Sequence, residues 1–281
     1  MDTIIGLGGA GCQVARKFTQ FSQYKVYLID NEQSEEKRYF KMPSFNSIEE
    51  YDSSCPNVKR FLSRATKNIL LIVTGASDVS AASLSILQQI KHKVNINIMY
   101  IQPDISLLSQ NKKLLERTVR HVLQEYTRSG VFEKMFMISN DMVEEFMQDV
   151  SLRSHYDELN QVIVSSFHGI NFLNHIDSVT DTFTNPSTTN RICTIGALNP
   201  ENGEEKMFFD LDIPSEIRYY YCIPETQIEE DKTLRKKIIK QVKEKSINNL
   251  KISYGIYSTE YDQQYGYVVS YSSQIQTEEN I

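Results

Sequence analysis

Short apolar runs alternate with amphipathic stretches through the first half of the chain. Continuous apolar runs predict buried strands at residues 2–6, 25–29, 68–73, 96–101 and 134–138. The stretches between most of these runs repeat apolar residues at helical spacing, and the longest predicts a helix over residues 109–128. Residues 33–54 are polar and irregular, and we expect a long loop with one helical turn there. Strands that alternate with helices predict an α/β fold with a Rossmann-like, mostly parallel sheet and helices on both faces.

The second half of the chain has a different pattern. A long helix is predicted over residues 155–175, and a connector rich in Thr, Asn and Ser follows at residues 180–189. Beyond it, further strands are predicted at 191–197, 206–211, 217–223, 250–257 and 266–271, with a basic amphipathic helix at 229–246. Several of these strands alternate apolar and polar residues, which is typical of a sheet with one face packed on a helix. We therefore predict a Rossmann-like domain at 1–154, a central connecting helix at 155–176, a smaller α+β domain at 190–273 and a short polar tail at 274–281.

Glycines follow the first predicted strand at once. Gly6, Gly8 and Gly11 fit the spacing G-x-G-x-x-G, and Asp30 closes the second strand about twenty residues later, as in a dinucleotide-binding fingerprint. Glycines permit positive φ and let backbone N–H groups approach a phosphate at a helix N-terminus, where the helix dipole favours anions. We therefore predict a phosphate-binding turn here, with a purely structural turn as the alternative.

Composition and charge narrow the classes of function. The chain has 281 residues, a formal net charge of −6 and a pI near 5.5, which argue against a general nucleic-acid surface. No apolar run approaches the ~18 residues of a membrane span, and no signal-peptide pattern opens the chain. The four cysteines and five histidines have no metal-ligand or disulfide spacing. We expect a cytoplasmic protein, in the host cytoplasm if it is viral or plasmid-encoded, with no metal site, no direct nucleic-acid partner and no membrane insertion.

Five short segments, in the right order, resemble the tubulin/FtsZ superfamily. The run Gly8–Gln13 resembles its first phosphate loop, and Ala-Gly-Cys-Gln within it is close to tubulin's Ala-Gly-Asn-Gln. Residues 29–33 are similar to the end of FtsZ's second strand, and residues 138–141 are similar to its Ile-Pro-Asn-Asp. Tyr156-x-x-x-Asn160 and the later Gly169-Ile170 match the spacing of the central helix in FtsZ, where the first position is Phe. The resemblance covers the first domain and the central helix, and indicates a divergent, reduced FtsZ-like or phage- or plasmid-tubulin-like protein.

The resemblance implies a ligand, a partner and a set of site residues. The ligand is GTP or GDP, with or without Mg²⁺, and the partner is a second copy of the chain in a head-to-tail filament. The implied nucleotide-binding residues are Gly8, Gly9, Ala10, Gly11, Cys12, Gln13, Asn31, Gly75, Ala76, Ser77, Ser80, Tyr156 and Asn160. The Tyr156 ring offers a face for a purine, and the Asn160 amide, one turn later, can donate to and accept from a guanine edge. The alternative is that both are ordinary residues of a helix surface.

Two segments depart from the pattern of the family. The second phosphate loop is rich in glycine in the family, but here it keeps Gly75 alone, and Asp78 brings a negative charge that repels phosphate unless a cation bridges them. The acidic pair that positions water in FtsZ has no counterpart in the same places. Asp177 and Asp181 are the candidate catalytic substitutes, and caps or solvated loop residues are the alternative.

These departures leave open whether the protein is an enzyme. We expect slow or impaired GTP hydrolysis. The first alternative is a non-polymerising pseudo-GTPase that acts as a scaffold or regulator. The second is an NAD-dependent Rossmann oxidoreductase, which would need no base-reading pair on the central helix.

Overall fold

The computed structural model describes residues 3–90, 95–147, 151–185, 187–246 and 250–277. The chain divides into two compact units, Met1–Val164 and Ser165–Ile281. The division falls within the helix that the sequence pattern assigns to a connecting segment. The predicted polar tail is described as far as residue 277.

Parallel strands form the sheet of the first unit. Its strands are β1 (Thr3–Leu7), β2 (Lys25–Asp30), β3 (Tyr39–Lys41), β4 (Asn68–Thr74), β5 (Asn95–Gln102) and β6 (Lys134–Ser139). The order across the sheet is β3-β2-β1-β4-β5-β6, and each pair of neighbouring strands in this order is parallel. The helices that connect these strands are α1 (Gly8–Lys17), α2 (Ile48–Ser53), α3 (Ser83–Ile90), α4 (Gln110–Arg128) and α5 (Asn140–Phe146), and α6 (His155–Leu173) follows them. The predicted α/β fold with a Rossmann-like, mostly parallel sheet is confirmed.

The strand order creates a switch point between β1 and β4. From β1 the chain proceeds outward through β2 to β3, and from β4 it proceeds outward in the opposite direction through β5 to β6. The connections that leave β1 and β4 therefore diverge and leave a crevice beyond the carboxyl ends of these two strands. In doubly wound sheets this crevice is where ligands bind.

The structure differs from the sequence prediction in the long loop, which contains a strand as well as a helical turn. Residues 33–54 contain β3, a short strand parallel to β2, and α2, whose N-cap Ser47 accepts a hydrogen bond from the backbone N–H of Glu50. These elements span three and six residues, so they are too short to show a periodic pattern. The first helix begins at Gly8, so the glycine run itself forms the first helical turn.

The second unit contains a mixed sheet. Its strands are β7 (Thr180–Asp181), β8 (Ile192–Leu198), β9 (Glu205–Met207), β10 (Glu216–Pro224), β11 (Lys251–Thr259) and β12 (Tyr265–Ser272). Their order is β8-β12-β10-β11-β7, with β9 paired to β8. The β10–β11 pair is parallel and the other pairs are antiparallel. The predicted helix at 229–246 is divided into α7 (Glu225–Glu230) and α8 (Leu234–Glu244). The break coincides with Asp231, whose carboxylate accepts hydrogen bonds from the backbone N–H and the hydroxyl of Thr233.

Helices cover both faces of this second sheet. The buried Ile238 of α8 belongs to an apolar cluster with Tyr219, Tyr221 and other strand residues. On the opposite face, the Tyr220 hydroxyl donates to Asn174 Oδ1 at 3.0 Å, just beyond the end of α6. Adjacent tyrosines of β10 therefore point to different helices, as the alternation of a strand requires. None of the described helices has the length and apolar character needed to cross a membrane.

Candidate functional site

A glycine turn joins β1 directly to α1. Gly8 has a φ of +74°, a backbone conformation that favours glycine. A Cβ on Gly8 would lie 2.6 Å from the Ser77 hydroxyl oxygen, which is closer than side-chain carbons approach. The turn therefore needs glycine for its conformation and for its contact with the loop after β4. The structure brings the two predicted phosphate loops together at the switch point.

Gly9 and Gly11 have different surroundings in this turn. A Cβ on Gly11 would lie 2.8 Å from the Ile72 carbonyl oxygen, so Gly11 lets α1 pack closely on β4. A Cβ on Gly9 would meet one described atom within 4 Å, Oδ2 of Asp30, at 3.6 Å. The space beside Gly9 is therefore open, and a ligand can approach the backbone there.

The N-terminus of α1 provides donors for an anion. Its first N–H groups have no partner within the helix, and the N-cap residue, Leu7, has no side chain that can accept from them. Ala10 and Gln13 are exposed on this first turn. A helix N-terminus whose first N–H groups lack partners within the helix, with no acidic residue in its first turn, fits a nucleotide phosphate.

Cys12 faces the interior. Its thiol donates to the carbonyl oxygens of Gly6 (3.4 Å) and Ile29 (3.6 Å). Burial, and after it the nearby Asp30 carboxylate, raises the pKa of Cys12 to about 12. The thiol is therefore neutral, and it ties α1 to the sheet rather than pointing outward from the turn.

The end of β2 forms one wall of the open space. Asp30 is buried, and burial raises the pKa of its carboxyl group. Asp30 Oδ1 accepts from the backbone N–H of Asn31 at 2.9 Å, and the Asn31 side chain donates to the Tyr51 hydroxyl at 3.2 Å. Asn31 is thus held by its neighbours beside the predicted site.

Packing explains the single glycine in the loop after β4. A Cβ on Gly75 would overlap the Tyr100 hydroxyl and lie 2.8 Å from Cγ of Glu116. Beneath the loop, Glu116 Oε1 accepts from the Tyr100 hydroxyl at 2.7 Å and from Arg120 Nε at 2.9 Å. All three side chains are buried. We call these three residues the Tyr100–Glu116–Arg120 cluster; it supports the loop from below.

The two serines predicted to bind nucleotide in this loop, Ser77 and Ser80, have different surroundings. The buried Ser80 hydroxyl donates to the carbonyl oxygens of Ser77 (2.5 Å) and Gly75 (3.3 Å), so it closes the loop on itself. Ser77 lies against Gly8, and Ala76 is half-buried. Ser77 is thus the serine placed at the junction of the two loops.

Asp78 has a cationic partner that the sequence analysis missed. Lys112 Nζ lies 2.6 Å from Asp78 Oδ1. The sequence contains one indication of this pair. Lys112 lies in the first turn of α4, where the helix dipole disfavours a cation, and a nearby carboxylate offsets that effect. The negative charge expected at this loop is therefore offset within the protein.

Tyr156 and Asn160 lie in the first unit, on the N-terminal half of α6. Tyr156 is 64% exposed, and its ring makes an edge-to-face contact with His155. Asn160 is half-buried, and its amide makes no hydrogen bond within the part of the chain that the structure describes. An ion pair of 2.5 Å between Lys17 and Asp157 joins this part of α6 to the end of α1. No hydrogen bond or ring contact among the described residues links Tyr156 or Asn160 to the two loops.

The candidate catalytic carboxylates lie in the second unit and are both exposed. Asp181 Oδ2 accepts from the Ser178 hydroxyl at 2.5 Å, and Oδ1 accepts from the backbone N–H of Phe183 at 3.1 Å. Both oxygens of Asp181 therefore stabilise a local turn. Asp177 has no such bond among the described residues. Over the same residues, no group of three or more His, Cys, Asp or Glu side chains is arranged to hold a metal ion.

Comparison with known proteins finds similarity in structure but not in sequence. No protein-family model matches the sequence, and no curated protein matches it. Solved structures do match. The GTPγS-form protofilament of TubZ from Bacillus thuringiensis serovar israelensis has a TM-score of 0.72 at 13% identity, over 96% of this chain and 86% of that chain.

Two further relatives have the same architecture. The empty FtsZ dimer from M. jannaschii has a TM-score of 0.64 at 12% identity, over 97% of this chain and 88% of that chain. The GTPγS-bound protofilament of CetZ2 from Haloferax volcanii has a TM-score of 0.66 at 12% identity, over 96% of this chain and 92% of that chain. The similarity extends over nearly the whole length of each chain, although few residues are identical. The chain has the fold of the tubulin/FtsZ superfamily.

Proposed function

We propose that this protein binds a guanine nucleotide at the β1/β4 switch point and assembles head to tail into filaments, with slow hydrolysis of GTP. The observation that carries the proposal is the contact between the positive-φ Gly8 and Ser77, with open space beside Gly9. An uncapped helix N-terminus faces the same junction and supplies donors for phosphate. The structure of this junction supports a nucleotide, and the relatives support the identity of its base.

The solved relatives provide the argument for guanine and for assembly. TubZ is described in GTPγS and GDP forms, and CetZ2 in a GTPγS-bound form. The same structures are described as protofilaments or filaments. In this chain, the exposed Tyr156 ring would stack on the base, and the free Asn160 amide would pair with the guanine edge. Mg²⁺ that accompanies the nucleotide would be held through phosphate oxygens and water with few protein ligands.

Slow hydrolysis is supported by the state of the carboxylates. Both oxygens of Asp181 are engaged in their own turn, and the exposed Asp177 has no hydrogen bond among the described residues that would hold it in position. A water that lacks a positioned base loses about 10²–10⁴ in rate. The engaged Asp181 also favours the second candidate, a pseudo-GTPase scaffold. Retained nucleotide binding without any polymer would identify that scaffold.

The test of the proposal is base specificity. We expect GTP and GDP to bind more tightly than ATP or NAD in calorimetric titrations of the purified protein. Asn160→Ala should weaken GTP binding by ~1–2 kcal/mol, because a guanine edge loses its partner, and should leave ATP binding unchanged. Tyr156→Ala should weaken both nucleotides, because stacking does not depend on the identity of the base.

The matched control is Gln161→Ala, which removes an amide at the next position of the same helix, where the Gln161 side chain contacts Gln20 instead. It should leave GTP affinity unchanged. Equal affinity for GTP and ATP would contradict guanine recognition. Preferential binding of NAD would favour the oxidoreductase alternative, for which the Asp30 position at the end of β2 is suited.

A further inference from the structure

The loop after β4 carries an exposed ion pair whose position is unusual. Asp78 and Lys112 lie 2.6 Å apart, and their side chains are 47% and 36% exposed. Exposed pairs of this kind contribute little to stability. The two charged groups are nevertheless accessible to a ligand. Whether they can contact a bound nucleotide depends on where they lie relative to the predicted phosphate loops.

Asp78 lies between the two residues that contact the glycine turn. Ser77 precedes it, and the hydroxyl of Ser77 would lie 2.6 Å from a Cβ on Gly8. Val79 follows it, and Val79 Cβ would lie 3.7 Å from the same point. Lys112 therefore reaches, through Asp78, the loop that borders the junction of the two predicted phosphate loops.

The helix that carries Lys112 does not favour a cation at this place. Lys112 and Lys113 lie in the first turn of α4, where the positive end of the helix dipole repels them, and no acidic residue accompanies them in that turn. An anion near the helix N-terminus would offset this repulsion. Asp78 is one such anion, and a nucleotide phosphate is a stronger one.

We propose that Lys112 is a phosphate-binding residue, which rests on the proposed nucleotide site. Its ammonium neutralises Asp78 and offers its remaining N–H donors to the terminal phosphates of the nucleotide. A lysine ammonium carries three donors, so one can stay on Asp78 while the others contact phosphate. The loop after β4 keeps a single glycine and carries the acidic Asp78. It can nevertheless accept a polyphosphate, because Lys112 of α4 offsets the charge of Asp78.

The experiment compares two lysines of one helical turn. Lys112→Gln and Lys113→Gln remove the same charge, but Lys113 makes no ion pair among the described residues. Affinities for GMP, GDP and GTP are measured by calorimetry at about 50 mM and about 500 mM salt. We expect Lys112→Gln to weaken GTP binding about tenfold at low salt, GDP binding less and GMP binding least, because the loss grows with the phosphate charge. Lys113→Gln should change all three by less than about twofold, because its charge is more distant.

Three further variants test how Asp78 and Lys112 act together. Asp78→Asn should tighten GTP binding, and Asp78→Asn combined with Lys112→Gln should return it towards the wild-type value. Lys112→Arg keeps the charge and should retain most of the affinity, which separates electrostatics from folding if Lys112→Gln is unstable. The difference between wild type and Lys112→Gln should shrink at high salt.

Several outcomes would overturn the inference. Equal affinities of Lys112→Gln and Lys113→Gln for GTP would show that Lys112 has no special position. A loss that is the same for GMP, GDP and GTP, or independent of salt, would show a structural role. Absence of guanine-nucleotide binding by the wild-type protein would instead overturn the proposed function, and this inference with it.

Discussion

At the scale of single residues, three glycines of the turn after β1 have different surroundings. Gly8 needs a positive φ, Gly11 needs room for the Ile72 carbonyl, and Gly9 faces open space. The sequence predicts the turn from its spacing, but it does not predict this division of roles. The difference depends on which carbonyl or side chain of another strand approaches each Cα, and sequence spacing does not contain that information.

Gly9→Val should therefore separate ligand binding from folding. Gly9 has a helical position, so a larger residue costs the helix little, while the new side chain fills the space in which phosphate would approach. We expect GTP affinity to fall by at least about tenfold, with a thermal midpoint close to that of the wild type. Calorimetry and circular dichroism would measure the two quantities.

The control for Gly9→Val is Gly11→Ala. Its Cβ would meet the Ile72 carbonyl oxygen at 2.8 Å, so the variant should lose stability by about 1–3 kcal/mol through overpacking. Unaltered GTP affinity in a folded Gly9→Val protein would show that the turn is structural.

At the scale of elements, long and fully buried segments were predicted well and short ones were not. The central strands and α4 agree with the sequence prediction within one or two residues, because continuous apolar runs and a long amphipathic stripe are strong signals. The strand β3 and the break between α7 and α8 were missed. Each is decided by a local contact, such as the pairing of Tyr39 with Leu28 or the hydrogen bonds of Asp231, rather than by a period.

The Tyr100–Glu116–Arg120 cluster makes α4 a stability determinant. Glu116 and Arg120 are buried, with side chains 2% and 4% exposed, so Glu116→Gln removes a carboxylate that pairs with a buried guanidinium. We expect the free energy of unfolding to fall by about 3–5 kcal/mol, as measured by urea denaturation. Glu125→Gln removes a carboxylate from an exposed pair with Arg128 on the same helix and should cost less than about 1 kcal/mol. Equal losses in the two variants would contradict a special role for the cluster.

At the scale of the whole molecule, the fold agrees with the sequence resemblance, whereas the chemistry of turnover stays a prediction. The order of strands and helices follows from the alternation of apolar runs, and the fold is shared with solved relatives at only 12–13% identity. Identity this low shows that the burial pattern, not particular side chains, specifies the architecture. The residues that would activate water are particular side chains, so the fold does not reveal them.

We expect assembly to depend on concentration, and phosphate release to be slow. Light scattering and phosphate release should be measured side by side as protein concentration rises in the presence of GTP. Asp181→Ala should change turnover little, because its carboxylate serves a local turn, and Asp177→Ala should also change turnover little. Brisk phosphate release that Asp181→Ala abolishes would contradict slow turnover, and the absence of sedimentable polymer at every concentration would favour the scaffold alternative.

Helix α1 is anchored at both of its ends. It begins against the loop after β4, through the contact of Gly8 with Ser77, and it ends with Lys17 paired to Asp157 of α6. Ten helical residues form a rod about 15 Å long, and such a rod cannot tilt at one end without displacing the other. The predicted phosphate turn and the segment that carries Tyr156 and Asn160 therefore lie at opposite ends of one short helix, and a shift of α1 along its axis would displace both of its end contacts.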